Sequence, residues 1–274
     1  MKTSDELKRI SQEIRIEIID TLKRCGTGHP GGSLSCVELV TALYNNYLQI
    51  TPESLENPGR DRFILSKGHA SLTQYLAMSH LGFFDYQEIH DTFREIDSRF
   101  QAHPSMRKTP GIEACTGSLG QGLSIGNGIA LGLKASAPEA KVVVLLGDGE
   151  CQEGQVWEAA MSAVKYKLKN IVAIIDYNKV QLDGPLEDIK GLGDLEARWQ
   201  AIGWHVKRID GHNIDQILDA LEWTKNQEWP SVIIADTVKG KGVPFMEGKH
   251  QYHGAVPAAD VMQKEIERMK GQRA

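Results

Sequence analysis

The sequence predicts an α/β protein built on a doubly wound, mostly parallel sheet with helices on both faces. Three observations carry that expectation. Residues 142–146 (VVVLL) and 171–175 (IVAII) are short, continuous apolar runs rich in β-branched residues, the signature of strands covered on both sides. Between them, residues 153–168 take helical spacing, with Val156, Ala160 and Val164 on one face, so the three segments form one βαβ unit. Strands and helices go on alternating along most of the chain, as an open parallel sheet requires.

From the amino terminus, residues 4–24 read as an amphipathic helix capped by Ser4, with Leu7, Ile10, Ile14, Ile18 and Leu22 as its buried stripe and Gly26 at its end. Residues 26–32 (GTGHPGG) read as a glycine-rich loop able to pass close to a ligand, followed by a helix over about 34–48. The segment RFILSKG at 62–68 is a short strand that delivers His69 to the start of another helix. His103 lies in a further loop, QAHP, after a charged stretch at 91–99 that is too polar for a core. Residues 116–128 (TGSLGQGLSIGNG) predict a turn and then a helix to about 134, whose glycines permit tight packing on something flat. Beyond the central unit come a helix at 195–202, a strand from His205, a helix at 213–226 and a strand ending at Val238. A loop from Lys239 with two histidines and a helix at 258–269 close the chain. No linker, repeat or low-complexity tract divides it, so one domain over 1–274 is expected.

Composition excludes several classes. With 274 residues, 41% of them hydrophobic, there is material for a full core. A formal net charge of −5 with no basic segment argues against nucleic-acid binding. Cys25, Cys36, Cys115 and Cys151 are far apart, without zinc-site spacing or the density of a secreted scaffold, and read as reduced thiols of a cytoplasmic protein. The first twenty residues are charged throughout and no apolar run approaches a membrane span, so a membrane protein is not expected.

The chemistry starts where the central strands end. The first stops at Gly147-Asp148-Gly149 and the second at Asp176-Tyr177-Asn178. Parallel neighbours end on the same sheet edge, so Asp148 and Asn178 converge although about thirty residues separate them. A carboxylate, an amide oxygen and the carbonyl of Val180 just beyond are hard ligands suited to Mg²⁺ or Ca²⁺. They are too few for an all-protein cage and leave positions for a diphosphate and water. Glycines on either side of Asp148 allow close approach of a bulky anion. His29, His69, His103 and His253 each sit beside Gly or Pro at an element boundary. Any one alone reads as an ordinary structural histidine, but four together suit proton transfer to a polyhydroxy-carbonyl substrate. No pair among them has the close helical spacing of a zinc motif. His80, His90, His205, His212 and His250 read as ordinary.

The Gly-Asp-Gly to Asn segment resembles the cofactor motif of thiamin-diphosphate enzymes. GHPGGSLS, RDRFILSKGHA, the AHP step, TGSLGQG and the final HG resemble the transketolase family over nearly the whole chain. The resemblance implies a thiamin-diphosphate-binding fold in which Asp148, Asn178 and the Val180 carbonyl hold the metal that ties down the cofactor's diphosphate. It implies that Gly149 offers its N–H to that diphosphate, with Gly147 in the same motif, and that Gly117 and Leu119 contact the cofactor's rings. Lys239 matches a cofactor-proximal lysine of some members. His29, His69, His103 and His253 would line the channel to the cofactor and contact the sugars, and His253 would also touch the cofactor. Glu153 and Glu158 match an acidic pair at a subunit interface, or equally are solvated carboxylates in a helix's first turn. Ser118 replaces a proline common in full-length relatives.

The chain stops where a full-length enzyme of this kind would continue into a pyrimidine-binding domain and a third domain. The resemblance therefore implies the amino-terminal subunit of a split transketolase, which moves a two-carbon ketol unit from a ketose to an aldose. A separate carboxy-terminal subunit would supply the activating glutamate, in an α2β2 assembly. A specialised sugar pathway is as compatible as the pentose phosphate route. The competing expectations are the α subunit of a 2-oxo-acid dehydrogenase, deoxyxylulose-phosphate synthase, and a non-catalytic cofactor-binding module. The GHP, KGHA and AHP histidines count against all three.

Overall fold

The computed structural model describes residues 1–271. Its centre is a five-stranded sheet of β1 (Arg62–Leu65), β2 (Val142–Gly147), β3 (Ile171–Tyr177), β4 (His205–Asp210) and β5 (Ser231–Asp236). The strands lie in the order β1-β2-β3-β5-β4 and every pairing is parallel. Side chains alternate across the sheet with the period of two that a strand imposes. Phe63, Leu65, Val143, Leu145, Val172 and Ile174 feed one apolar core, and Ile64, Val142, Val144, Leu146, Ala173 and Ile175 feed another. Helices α1 (Ser4–Cys25), α2 (Pro30–Ser35), α3 (Val37–Ala42), α4 (Ser71–Ser79) and α5 (Tyr86–Thr92) supply the first core. On the second side lie α6 (Gly122–Ser136), α7 (Gly154–Lys165), α8 (Leu186–Lys190) and α9 (Leu195–Ile202), while α10 (Ile214–Thr224) and α11 (Ala259–Gly271) return to the first. Helices on both faces of a parallel sheet are what the apolar runs predict.

Several local expectations change. The cap of α1 is Thr3, not Ser4: Thr3 is extended and exchanges bonds with Glu6 in a capping box, which places Ser4 inside the helix. Gly26 ends that helix in the left-handed conformation, as expected. Residues 26–29 are irregular as expected, but the Pro-Gly-Gly that follows is helical, because α2 begins at Pro30, a residue whose fixed φ suits the first helical turn. Its glycines serve close packing instead. A Cβ on Gly31 would lie 2.8 Å from the Tyr252 carbonyl oxygen, and one on Gly32 would lie 2.8 Å from His69 Nε2. The following helix is broken at Cys36 and finishes in a π-turn over Leu43–Tyr47. The 91–99 stretch is polar but still buries Phe93. Gly126 of α6 does pack on the sheet, where its Cβ would meet Val144 at 2.7 Å. Helices α5 and α8 have too few turns to show a period and are not foreseen. Among the described residues no helix is long and apolar enough to cross a membrane.

Candidate active site

The carboxyl edge of the sheet collects the chemistry. Gly147 pairs in register with Asp176, so Asp148 and Asn178 leave adjacent strands side by side. Both line one cavity of about 270 Å³, along with Gly147, Gly149, Val180, Lys239 and Leu119. Asp148 is 3% exposed. Its two oxygens accept the N–H groups of Gly149, at 2.7 Å, and Lys179. Burial and the nearby Asp176 carboxylate push its carboxyl up to about 6. A buried carboxylate raised in this way is a group that a cation would stabilise. Asn178 donates from its amide nitrogen to Asp176 at 3.1 Å, and its Oδ1 accepts the Val180 N–H at 3.2 Å. The Val180 carbonyl accepts from Lys239 Nζ at 2.9 Å, and the same ammonium lies 3.1 Å from His253 Nδ1. Burial and the charge of Lys67 pull the Lys239 amine down to about 8.

These hard oxygen donors fit a divalent cation by type. Among the described residues no three His, Cys, Asp or Glu side chains form a cage, so a cation here would take its remaining oxygens from a ligand. Gly147 and Gly149 already use their N–H groups, on Glu150 at 3.0 Å and on Asp148. Gly149 would therefore reach a diphosphate by exchanging that bond.

All four singled-out histidines meet. The His29 ring centre lies 5.5 Å from that of His69, 5.7 Å from His103 and 5.8 Å from His253, and His69 and His253 are 4.9 Å apart. His69 and His253 also line the cavity, which joins the cluster to the Asp148–Asn178 edge. Burial, then nearby cations and imidazoles, lowers the proton affinity of His29 to about 4, of His253 to about 3 and of His69 well below its usual value, and burial with the charge of Arg94 lowers His103 in the same direction. Near pH 7 the cluster is therefore neutral, with each ring holding one donor and one acceptor. Gly117 backs this cluster, since a Cβ there would lie 2.9 Å from His103 Cδ2. Glu153 reaches the cavity rim, whereas Glu158 is exposed on α7 away from it.

Three residues of the site were not singled out by sequence reasoning. Lys67 is 1% exposed and donates to Gly32 O at 2.8 Å, to Ser35 Oγ at 3.3 Å and to Asp176. Asp176 is wholly buried; burial favours its neutral form, but Lys67, Ser35 and Thr237 hold it ionised. Glu150 is 2% exposed and accepts from Gly120 N at 2.9 Å, Gly147 N and Ser66. A carboxylate closing an all-apolar strand, as Asp176 does, is the signal that could have found the pair.

The chain matches the family model for the transketolase thiamine diphosphate binding domain over residues 6–272. The chain belongs to that family. It is 43% identical over 249 residues to the 6-deoxy-6-sulfo-D-fructose transketolase subunit of Clostridium sp. (strain MSTE9), covering 90% of each protein. It is 39% identical over 268 residues to an apulose-4-phosphate transketolase subunit of Actinobacillus succinogenes, covering 97% of this chain and 96% of that one. Among solved structures, Campylobacter jejuni transketolase superposes with a TM-score of 0.90 at 30% identity, over 98% of this chain and 43% of that one. The transketolase fold is thus present, and the chain spans less than half the length of that enzyme.

Proposed function

We propose that this chain is the amino-terminal subunit of a two-subunit transketolase. With a carboxy-terminal partner it would transfer a two-carbon ketol unit from a ketose to an aldose, using thiamin diphosphate and Mg²⁺ or Ca²⁺. The observation that carries the reading is a cluster of four imidazoles, two of which, His69 and His253, line one cavity together with Asp148 and Asn178. Support for a separate partner comes from the names of the two relatives of matching length, each called a transketolase subunit. The pyrimidine-binding domain and the activating glutamate belong in this reading to the partner, in an α2β2 assembly. The present chain acts as one diphosphate-binding domain over 1–274. A reducing cytoplasmic setting fits its four unpaired cysteines.

Thiamin diphosphate, when bound, supplies the carbanion chemistry that lets a bond beside a carbonyl break and re-form. The chain's own residues do the rest. Asp148, the Asn178 amide oxygen and the Val180 carbonyl would hold the cation, and the Lys239 ammonium, now on the Val180 carbonyl, would offer its charge to the diphosphate. Leu119 and Gly149, which line the cavity, and Gly117, which backs His103, would contact the cofactor. His29, His69, His103 and His253 would donate to the carbonyl and hydroxyl oxygens of the sugars and accept from their hydroxyl groups. Being neutral, they can do both without a standing charge in the cavity. A sugar with an anionic end suits the reading, because the two relatives are named for a sulfonated and a phosphorylated sugar.

The test is reconstitution. Mixed with the product of a candidate partner gene, the chain should catalyse ketol transfer and should not decarboxylate 2-oxo acids. Full turnover by this chain alone would refute the split site, and 2-oxo-acid decarboxylation would transfer the reading to the dehydrogenase class.

A further inference from the structure

His212 reads in the sequence as an ordinary histidine, and neither it nor the two residues behind it line the cavity. They nevertheless bond to the backbone on either side of Lys239, one of the cavity's two lysines. The backbone N–H of Val238 donates to His212 Nε2 at 2.8 Å. A backbone N–H can only donate, so Nε2 must accept and the ring proton sits on Nδ1. That nitrogen faces Glu38 Oε2 at 3.0 Å. The other oxygen of Glu38 accepts from Arg15 Nη2 at 2.5 Å, and Arg15 Nε donates to the carbonyl of Lys241 at 2.9 Å. Arg15 and Glu38 are 5% and 8% exposed. The chain of bonds therefore leaves the backbone at 238 and returns to it at 241, bracketing Lys239 and Gly240. Gly240 N–H is tied from the opposite side to Gly31 O at 3.0 Å. Gly242 lets Arg15 lie flat on the loop, since a Cβ there would stand 2.6 Å from Arg15 Cδ and its φ is +90°.

We propose that His212, backed by Glu38 and Arg15, is a positioning residue that fixes the 238–241 loop and so aims the Lys239 ammonium at the Val180 carbonyl and His253. What Lys239 is aimed to do rests on the cofactor reading above, but the anchoring itself does not. A buried polar network with every member satisfied fixes one geometry, whereas breaking one link leaves unpaired groups that favour release of the loop.

Amine labelling of the full chain, read residue by residue by mass spectrometry, tests this without cofactor or partner. Lys67 and Lys239 are almost equally buried, at 1% and 2%, so Lys67 reports any general loosening. In His212→Ala, labelling at Lys239 should rise about tenfold with Lys67 unchanged, as for a local opening. His212→Gln, which can accept from Val238 and donate to Glu38, should stay within about threefold of wild type. Arg15→Lys keeps the charge beside Glu38 but cannot reach both partners, and should repeat the selective rise. It gives a second reading should His212→Ala fail to fold. Equal rises at Lys67 and Lys239 in Arg15→Lys, or no rise at Lys239 in a folded variant, would overturn the proposal. In the reconstituted pair the apparent KM for thiamin diphosphate should rise with His212→Ala but not further when it is added to Lys239→Ala. Additive effects would also overturn it, whereas absence of any ketol transfer by the wild-type pair would count against the split-enzyme reading instead.

Discussion

The Lys67 ammonium is bonded to the Asp176 carboxylate with both side chains closed to solvent, at 1% and 0% exposure. Asp176 also accepts from Ser35, Thr237 and the Asn178 amide, so the ion pair is the floor on which a cavity residue is oriented. Holding the Asn178 nitrogen downward turns its amide oxygen toward Val180 and the cavity. Structure and site thus share one buried pair.

Removing one half of that pair should be costly. Lys67→Met leaves a buried carboxylate without its counter-charge, a change worth about 3–5 kcal/mol. The double variant Lys67→Met with Asp176→Asn should lose less than the sum of the two, by about 1–3 kcal/mol, because it leaves no lone buried charge. Urea unfolding midpoints measure both. A single Lys67→Met change costing under about 1 kcal/mol, the value of an exposed pair, would show that the site is open to water.

Glycines of one helix should respond with opposite signs. In α6, a Cβ on Gly126 would press on Val144 at 2.7 Å, while Gly128 and Gly132 have nothing within 4 Å. Gly126→Ala should therefore destabilise by about 1–3 kcal/mol through overpacking. Gly128→Ala should stabilise the isolated chain by about 0.5–1 kcal/mol through restricted backbone freedom. Denaturant midpoints of the two variants, with unchanged slopes, check the contrast.

The comparison of sequence and structure has a physical pattern. Strands β2 and β3 were legible because their five-residue apolar runs are short, rich in β-branched residues and stopped by turn residues, and the meeting of Asp148 with Asn178 follows from parallel pairing of these two as neighbours in matching register. The histidines were legible only by their glycine and proline neighbours, which mark element ends. What was not legible is the purpose of the glycines at 31 and 32. Loop and helix demand the same residue there, and only the approach of Tyr252 and His69, far away in sequence, decides between them. Lys67, Asp176 and Glu150 were missed for a related reason: a buried ion pair or hydrogen-bonded carboxylate is defined by partners from other elements. His212 is the extreme case, since its partners come from residues 38 and 238.

The histidine cluster predicts a pH dependence with a definite sign. His29 falls to about 4 and His253 to about 3, below the usual unfolded value of about 6.5. The unfolded chain then binds more protons between those values, so the stability these rings contribute is present above about pH 6.5 and lost as pH falls through about 4. Imidazole proton resonances of His29 and His253 should not titrate between pH 8 and about 5, unlike a free imidazole. Lys239→Met removes the cation beside His253, second only to burial among the causes of its shift, and should move that titration upward. A wild-type midpoint near 6.5 for either ring would place it in water rather than in the buried cluster.

The cation site is tested most directly through Asp148. Its carboxylate is the one ionised ligand among the three oxygens offered to a metal, and Asp148→Asn replaces that charge by an amide while filling the same volume. The amide turns an N–H₂ toward one of two backbone N–H groups, from Gly149 and Lys179, so some loss of stability is expected without any ligand. The informative quantity is therefore the response to ligand and not the starting melting temperature. Mg²⁺ with inorganic pyrophosphate at about a hundred times its dissociation constant stabilises a one-site protein by about 2.7 kcal/mol, which for a chain of this size is about 5–10 °C. Wild type should show that shift, and Mg²⁺ or pyrophosphate alone much less, since the chain's three ligands and the diphosphate oxygens are both needed to complete the coordination. Asp148→Asn should show none. A shift retained in Asp148→Asn would mean that pyrophosphate is held by Lys239 and its neighbours without a cation at the strand ends, and the metal would have to be assigned elsewhere.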